Sequence, residues 1–93
     1  MEHYALEIDE GVRTKEQLFA RYTDTIYLGY SGITSWDAFD ELMRDCFELR
    51  DINVDVHHKD LSQLSERDRG IYADVLAEVI ARFPSKLRVS ERR

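Results

Sequence analysis

The side chains of this sequence that could do chemistry are mostly carboxylates, and they concentrate in one segment. Over residues 36–51, acids outnumber bases six to two, and Asp37 and Glu41 are four residues apart with Asp40 between them. Such a group could act as a general acid–base pair or could present negative charge to a basic partner. No sequence feature places these carboxylates in a pocket or supplies an oxyanion donor, so we expect a binding surface and not an enzyme.

Other reactive residue types are few. Cys46 falls on the apolar side of its predicted helix, where burial raises the pKa of a thiol and makes it unreactive. His57 and His58 are adjacent at the end of a predicted strand, so they point to opposite faces and cannot both bind one metal ion. The four glycines form no phosphate-binding fingerprint. We therefore expect no catalytic residue, no metal and no cofactor.

Length and composition indicate a single domain over residues 1–93. The chain is 43% hydrophobic with one proline, which is enough to bury one core. It has no apolar run near the roughly 20 residues that cross a bilayer, and its first residues do not resemble a signal peptide. A lone cysteine, Cys46, suits a reducing compartment. These features predict a cytoplasmic protein without a membrane partner.

The net charge of −6 is unevenly distributed. Residues 82–93 carry five Lys or Arg against one Glu, a net +4, which leaves −10 on residues 1–81. An acidic body repels nucleic acid and anionic lipid, and it attracts a basic partner or a site that normally receives phosphates. The alternative interpretation is that this charge only keeps the protein in solution.

Hydrophobic periodicity predicts strands at 4–8, 52–57 and 87–89, and helices at 15–23, at 36–48 and between Ser65 and Pro84, with a short helical turn at 61–64. Capping-box patterns mark the helix starts at Thr14 with Gln17 and at Ser65 with Asp68. Thr34 or Ser35 caps the helix between them, and Asp37 is placed to complete a capping box from Thr34. Strands separated by helices pair in parallel through right-handed crossovers, and their alternating pattern indicates one covered face. We predict a two-layer α/β fold with a three-stranded parallel sheet, order 1-2-3, and helices packed on one face.

A helical wheel of residues 36–48 separates an apolar stripe from an acidic side. The stripe contains Trp36, Phe39, Leu42, Met43, Cys46 and Phe47, which removes Trp36 and Cys46 from the expected contact surface. A Tyr-Gly loop at 27–33 lies directly upstream, and tyrosines are frequent anchors at binding sites. The candidate partner-binding residues are Tyr30, Asp37, Asp40, Glu41, Arg44 and Asp45.

The run from Gly29 to Leu42, GYSGITSWDAFDEL, resembles the barstar family of inhibitors of small microbial ribonucleases. The predicted order of strands and helices is similar to that family over nearly the whole chain, which implies a single barstar-like domain. The resemblance implies that the loop and second helix plug a ribonuclease active site, with Tyr30, Asp37 and Glu41 in contact. Asp40 occupies a place where the best-known members have tryptophan. Arg82 stands where some members carry an acid, which implies a different footprint or a different toxin.

Our leading hypothesis is an inhibitor or immunity protein, monomeric when free, that binds a small basic ribonuclease and not nucleic acid. The alternative is an acidic regulatory or adaptor domain that uses the same helix on a non-nuclease partner, for example as a nucleic-acid mimic against a DNA-binding protein. A small enzyme that uses the carboxylates ranks last.

Overall fold

The computed structural model describes residues 1–28 and 32–91. Its elements follow the order β1 (Glu2–Ile8), α1 (Lys15–Ile26), α2 (Trp36–Leu49), β2 (Ile52–His58), α3 (Glu66–Arg82) and β3 (Leu87–Glu91). The three strands form one parallel sheet in the order β1-β2-β3. The predicted α/β class, the parallel pairing and the strand order 1-2-3 are therefore confirmed.

Most element boundaries lie a few residues beyond the predicted ones. Strand β1 begins at Glu2 because it pairs with the full length of β2, and β3 continues to Glu91 beside His58. Helix α1 extends to Ile26, whose side chain is buried in the core. The segment after β2 is a short turn closed by the Leu64 N–H, which donates to the Leu61 carbonyl at 3.2 Å.

The two faces of the sheet differ in chemistry. On one face, β2 buries Ile52, Val54, Val56 and His58, and these residues belong to or border the same core as the helices. On the other face, Asp55 accepts from Arg88 Nε at 2.9 Å and lies 3.1 Å from His3 Nε2. Alternation along a strand places successive side chains on opposite faces, so the helices cover one face and leave a polar face open.

Side-chain caps fix where the helices begin. The predicted capping box of α1 is present: Thr14 accepts from the Gln17 N–H, and the Gln17 side chain accepts from the Thr14 N–H. The predicted Thr34–Asp37 box at α2 is wrong. Ser35, the other predicted cap, is the N-cap and accepts from the Ala38 N–H at 3.1 Å, and the helix begins at Trp36 as predicted.

Aromatic side chains form the part of the core beneath α2. The Phe39 ring stacks on Phe19 with centroids 4.7 Å apart and meets Tyr22 edge-on at 5.2 Å. Trp36 packs edge-on against Phe19 at 5.0 Å, and its Nε1 donates to Asp68 on α3 at 3.1 Å. Asp68 is thereby used to tie α2 to α3, while Ser65 alone caps α3.

A chain of buried hydrogen bonds crosses the core from α1 to the sheet. The Tyr22 and Tyr72 hydroxyls are 2.6 Å apart, and the Tyr72 hydroxyl is 2.7 Å from His58 Nε2. His58 Nδ1 lies 3.8 Å from a Glu91 carboxylate oxygen, which favours the tautomer protonated at Nδ1. In that tautomer Tyr22 donates to Tyr72, and Tyr72 donates to His58.

None of the described helices is long and apolar enough to cross a membrane.

Candidate partner-binding site

Helix α2 is held in one orientation by its apolar stripe. Phe39, Met43 and Phe47 are fully buried, and Phe47 also stacks on Phe83 at 6.1 Å. Because these residues recur at four-residue spacing, they fix the helix about its own axis. The opposite side of α2 must then face solvent.

Three carboxylates occupy that solvent-facing side. Asp37, Glu41 and Asp45 are all exposed, and their four-residue spacing puts them within an arc of about 80° on the helix. Among the residues that the structure describes, no basic group forms an ion pair with any of the three. We call these three residues the acidic face. Asp37 lies in the first turn, where a negative charge interacts favourably with the helix dipole.

Asp40 and Arg44 are separated from the acidic face. They form an i,i+4 pair with 3.4 Å between Arg44 Nη2 and Asp40 Oδ2, and both side chains are partly buried. Within the described ranges, Asp40 Oδ1 and Arg44 Nε have no hydrogen-bond partner. On the helical wheel the pair lies next to Trp36, which contacts α3, so it lies on the flank that faces α3. The charge of Asp40 is therefore partly neutralised.

The last acid of the helix is also paired. Glu48 Oε1 lies 3.7 Å from Arg82 Nη2, with both side chains more than half exposed. An exposed pair of this kind contributes little to stability. The pair does reduce the positive charge that Arg82 presents beside α2. From the sequence alone, that charge has no evident partner.

Tyr30 lies outside the described residues, so its predicted contact stays a prediction. The residues on either side of it are anchored, because Leu28 and Ile33 are buried in the core. Gly32 has a φ of 80°, in the region that favours glycine.

The structure adds exposed apolar residues that the sequence reasoning missed. Tyr27 and Leu49 are 68% and 82% exposed, and both lie beside Leu42 and Asp45 at one edge of α2. The wheel contained a signal for Leu49, since position 49 falls between the acidic face and the apolar stripe. For Tyr27 the signal is its place at the start of the Tyr-Gly loop at 27–33, but the sequence does not show on which side of α2 its ring lies.

The remaining reactive residues lie away from this surface or are buried. Burial raises the pKa of the Cys46 thiol, against a smaller opposing effect of Arg50, so the predicted unreactive cysteine has structural support. His57 and His58 point to opposite sides of the sheet as predicted, with His57 hydrogen-bonded to Ser90 and His58 in the core. Across residues 1–28 and 32–91, no group of His, Cys, Asp and Glu could hold a metal ion.

The sequence matches no model of a known protein family, and a search of curated proteins gives no match. Any function assigned to the chain therefore depends on its own fold, surface charge and exposed side chains. The acidic face on α2 is the strongest of these features, because its three charges are unpaired by any described base and are held on a rigid element.

Proposed function

We propose that the chain is an inhibitor that binds a small basic microbial ribonuclease and blocks its active site with α2. The observation that carries the proposal is the acidic face, formed by Asp37, Glu41 and Asp45, which are exposed and have no ion-pair partner in the part of the chain that the structure describes. The backbone of α2 is already ordered, so binding has to order only the side chains, and the unpaired carboxylates have no ion pair within the described chain to break first.

The chemistry of a ribonuclease site supports this pairing. Such a site must bind RNA phosphates, and it does so with positively charged side chains. Carboxylates at i and i+4 on a helix are neighbours, with Cβ atoms about 5–6 Å apart. The acidic face can therefore offer several negative charges in a row to a surface that is built to receive them.

The fold supports the proposal through the resemblance of the Gly29–Leu42 segment to the barstar family. A three-stranded parallel sheet in the order 1-2-3, with helices over one face, is the layout that the resemblance implies. The acidic segment also lies on the second helix, where the resemblance requires it. The proposal includes a cytoplasmic location, a monomeric free state and a binding role without catalysis.

The test is a titration of ribonuclease activity. Small basic microbial ribonucleases are assayed on an RNA substrate with increasing amounts of the full chain. We expect activity of the cognate enzyme to fall linearly to zero at one equivalent, and excess RNA to slow the association. Added salt should also slow it, because exposed charges are screened over about 8 Å at physiological ionic strength. If no ribonuclease is inhibited but a basic DNA-binding protein is bound, the nucleic-acid-mimic alternative replaces this proposal.

A further inference from the structure

A shallow apolar cleft adjoins the acidic face on the side away from α3. Its walls are Tyr27 and Leu49, and its floor is formed by Leu28, Leu42 and Cys46. Apart from Met1, the two wall residues are the only large apolar side chains that are highly exposed among the described residues. We call this feature the Tyr27–Leu49 cleft.

The exposure of Tyr27 is maintained by a specific set of contacts. Tyr27 has a φ of 51°, which is uncommon for a residue with a bulky side chain, and its N–H donates to the Thr23 carbonyl at 2.9 Å. Arg50 Nη1 donates to the carbonyls of Ile26 and Tyr27. These bonds cap the carboxyl end of α1 and hold the strained residue, so the ring stays outside the core.

The cleft is bordered by one carboxylate, that of Asp45, and one guanidinium, that of Arg50. Asp45 lies on its rim and belongs to the acidic face, and Glu41 lies one turn earlier. The Arg50 guanidinium donates to the main-chain carbonyls of Ile26 and Tyr27, to Cys46 Sγ at 3.4 Å and to the Tyr4 hydroxyl at 3.5 Å, whereas Asp45 has no ion-pair partner among the described residues. A cation that approaches the rim therefore meets the Asp45 carboxylate.

We propose that the Tyr27–Leu49 cleft receives an apolar side chain of a basic partner protein, with a neighbouring Lys or Arg of that partner paired to Asp45. The proposal rests on the proposed function in one respect, the basic character of the partner. Charge complementarity selects this occupant over a second copy of the chain, because two copies joined here would bring their acidic faces together. The cleft extends the contact surface from the acidic face to the end of α1.

The first test uses small molecules and needs no nuclease. Amide shifts of the ¹⁵N-labelled chain are followed during titration with phenethylammonium, with phenylacetate, which has a similar ring and the opposite charge, and with ethylammonium, which has no ring. We expect saturable shifts at Tyr27, Leu42 and Leu49 with phenethylammonium, binding about three-fold or more weaker with phenylacetate, and none with ethylammonium. Equal binding of both ring compounds, or none at the cleft, overturns the proposal. Shifts at these residues that depend on protein concentration alone would identify a second copy as the occupant.

Variants connect the cleft to inhibition. Leu49→Gln keeps helix propensity and removes the apolar wall, and Tyr27→Asn removes the ring with a residue that tolerates positive φ. Ala81→Gln, at an exposed position on α3, is the control. We expect either cleft variant to weaken inhibition about ten-fold and the control to leave it unchanged. If neutralising Asp37 and Glu41 abolishes inhibition while the cleft variants retain it, the cleft proposal fails and the inhibitor remains. If no ribonuclease is inhibited, the titration with small molecules still decides the cleft.

Discussion

The hydroxyl of Tyr72 is the centre of the buried hydrogen-bond chain, and its removal tests how the core is held together. It lies 2.6 Å from the Tyr22 hydroxyl and 2.7 Å from His58 Nε2, and all three residues are buried. Tyr72→Phe keeps the ring and its packing against Trp36 and Tyr22. The substitution therefore isolates the contribution of one oxygen atom.

The expected cost follows from the groups that lose their partner. Without the Tyr72 hydroxyl, the Tyr22 hydroxyl and His58 Nε2 are both left buried and unsatisfied, at about 1–3 kcal/mol each, or about 2–6 kcal/mol together. Tyr22→Phe removes the end of the chain instead, and the Tyr72 hydroxyl still has His58. That change should cost about 0.5–1.5 kcal/mol. The central hydroxyl should thus matter more than the terminal one, in a domain whose total stability is about 5–15 kcal/mol.

Guanidinium-induced unfolding of the wild type and both variants gives the change in the free energy of unfolding that each substitution causes. Thermal unfolding provides a second readout, with about 4–8 °C lost per kcal/mol for a domain of this size. Equal destabilisation by the two substitutions, or a cost below about 1 kcal/mol for Tyr72→Phe, would refute the hydrogen-bond chain described above.

Three further changes test other parts of the fold. Burial lowers the pKa of His58, so on acidification the unfolded chain binds a proton at this residue first, below about pH 6.5, and the free energy of unfolding falls. The denaturant midpoint should therefore drop less between pH 7.5 and pH 5.5 in His58→Gln than in the wild type. Phe39→Ala removes a fully buried ring and should cost about 3–5 kcal/mol by thermal unfolding, with Phe39→Leu well below that. Arg50→Ala leaves the carbonyls of Ile26 and Tyr27 without their guanidinium donor and should lower the free energy of unfolding by about 1–3 kcal/mol. Hydrogen exchange at the Tyr27 amide should become faster, and unchanged exchange would contradict the role of Arg50 in capping α1.

The fold was predictable because its determinants are local. Alternation at Val54 and Val56 and the helical spacing of Tyr72, Val75 and Val79 depend only on neighbours in the sequence, and burial follows the same periods. Thr14 and Gln17 likewise satisfy each other within one turn. Topology rules then leave few arrangements for three parallel strands.

The details of the site depend on tertiary contacts, which periodicity does not encode. A helical wheel gives the angle of each residue on α2 but not the direction from which α3 approaches, so the sequence alone places Asp40 and Arg44 on the same exposed charged surface as Asp37 and Glu41. Asp68 fits a capping box by sequence, yet its carboxylate accepts from Trp36 on another helix. The exposure of Tyr27 depends on Arg50, which is 23 residues away in the chain.

The most direct test of the acidic face is the affinity of two matched double variants for the inhibited ribonuclease. Asp37→Asn with Glu41→Gln neutralises two members of the acidic face, and Asp74→Asn with Glu78→Gln makes the same chemical change at the same spacing on α3, at exposed positions. Titration calorimetry should show binding weakened about 100-fold or more by the first variant and about three-fold or less by the second. Equal weakening by the two variants would show that net charge alone drives binding, and unchanged binding by the first would contradict the role of α2.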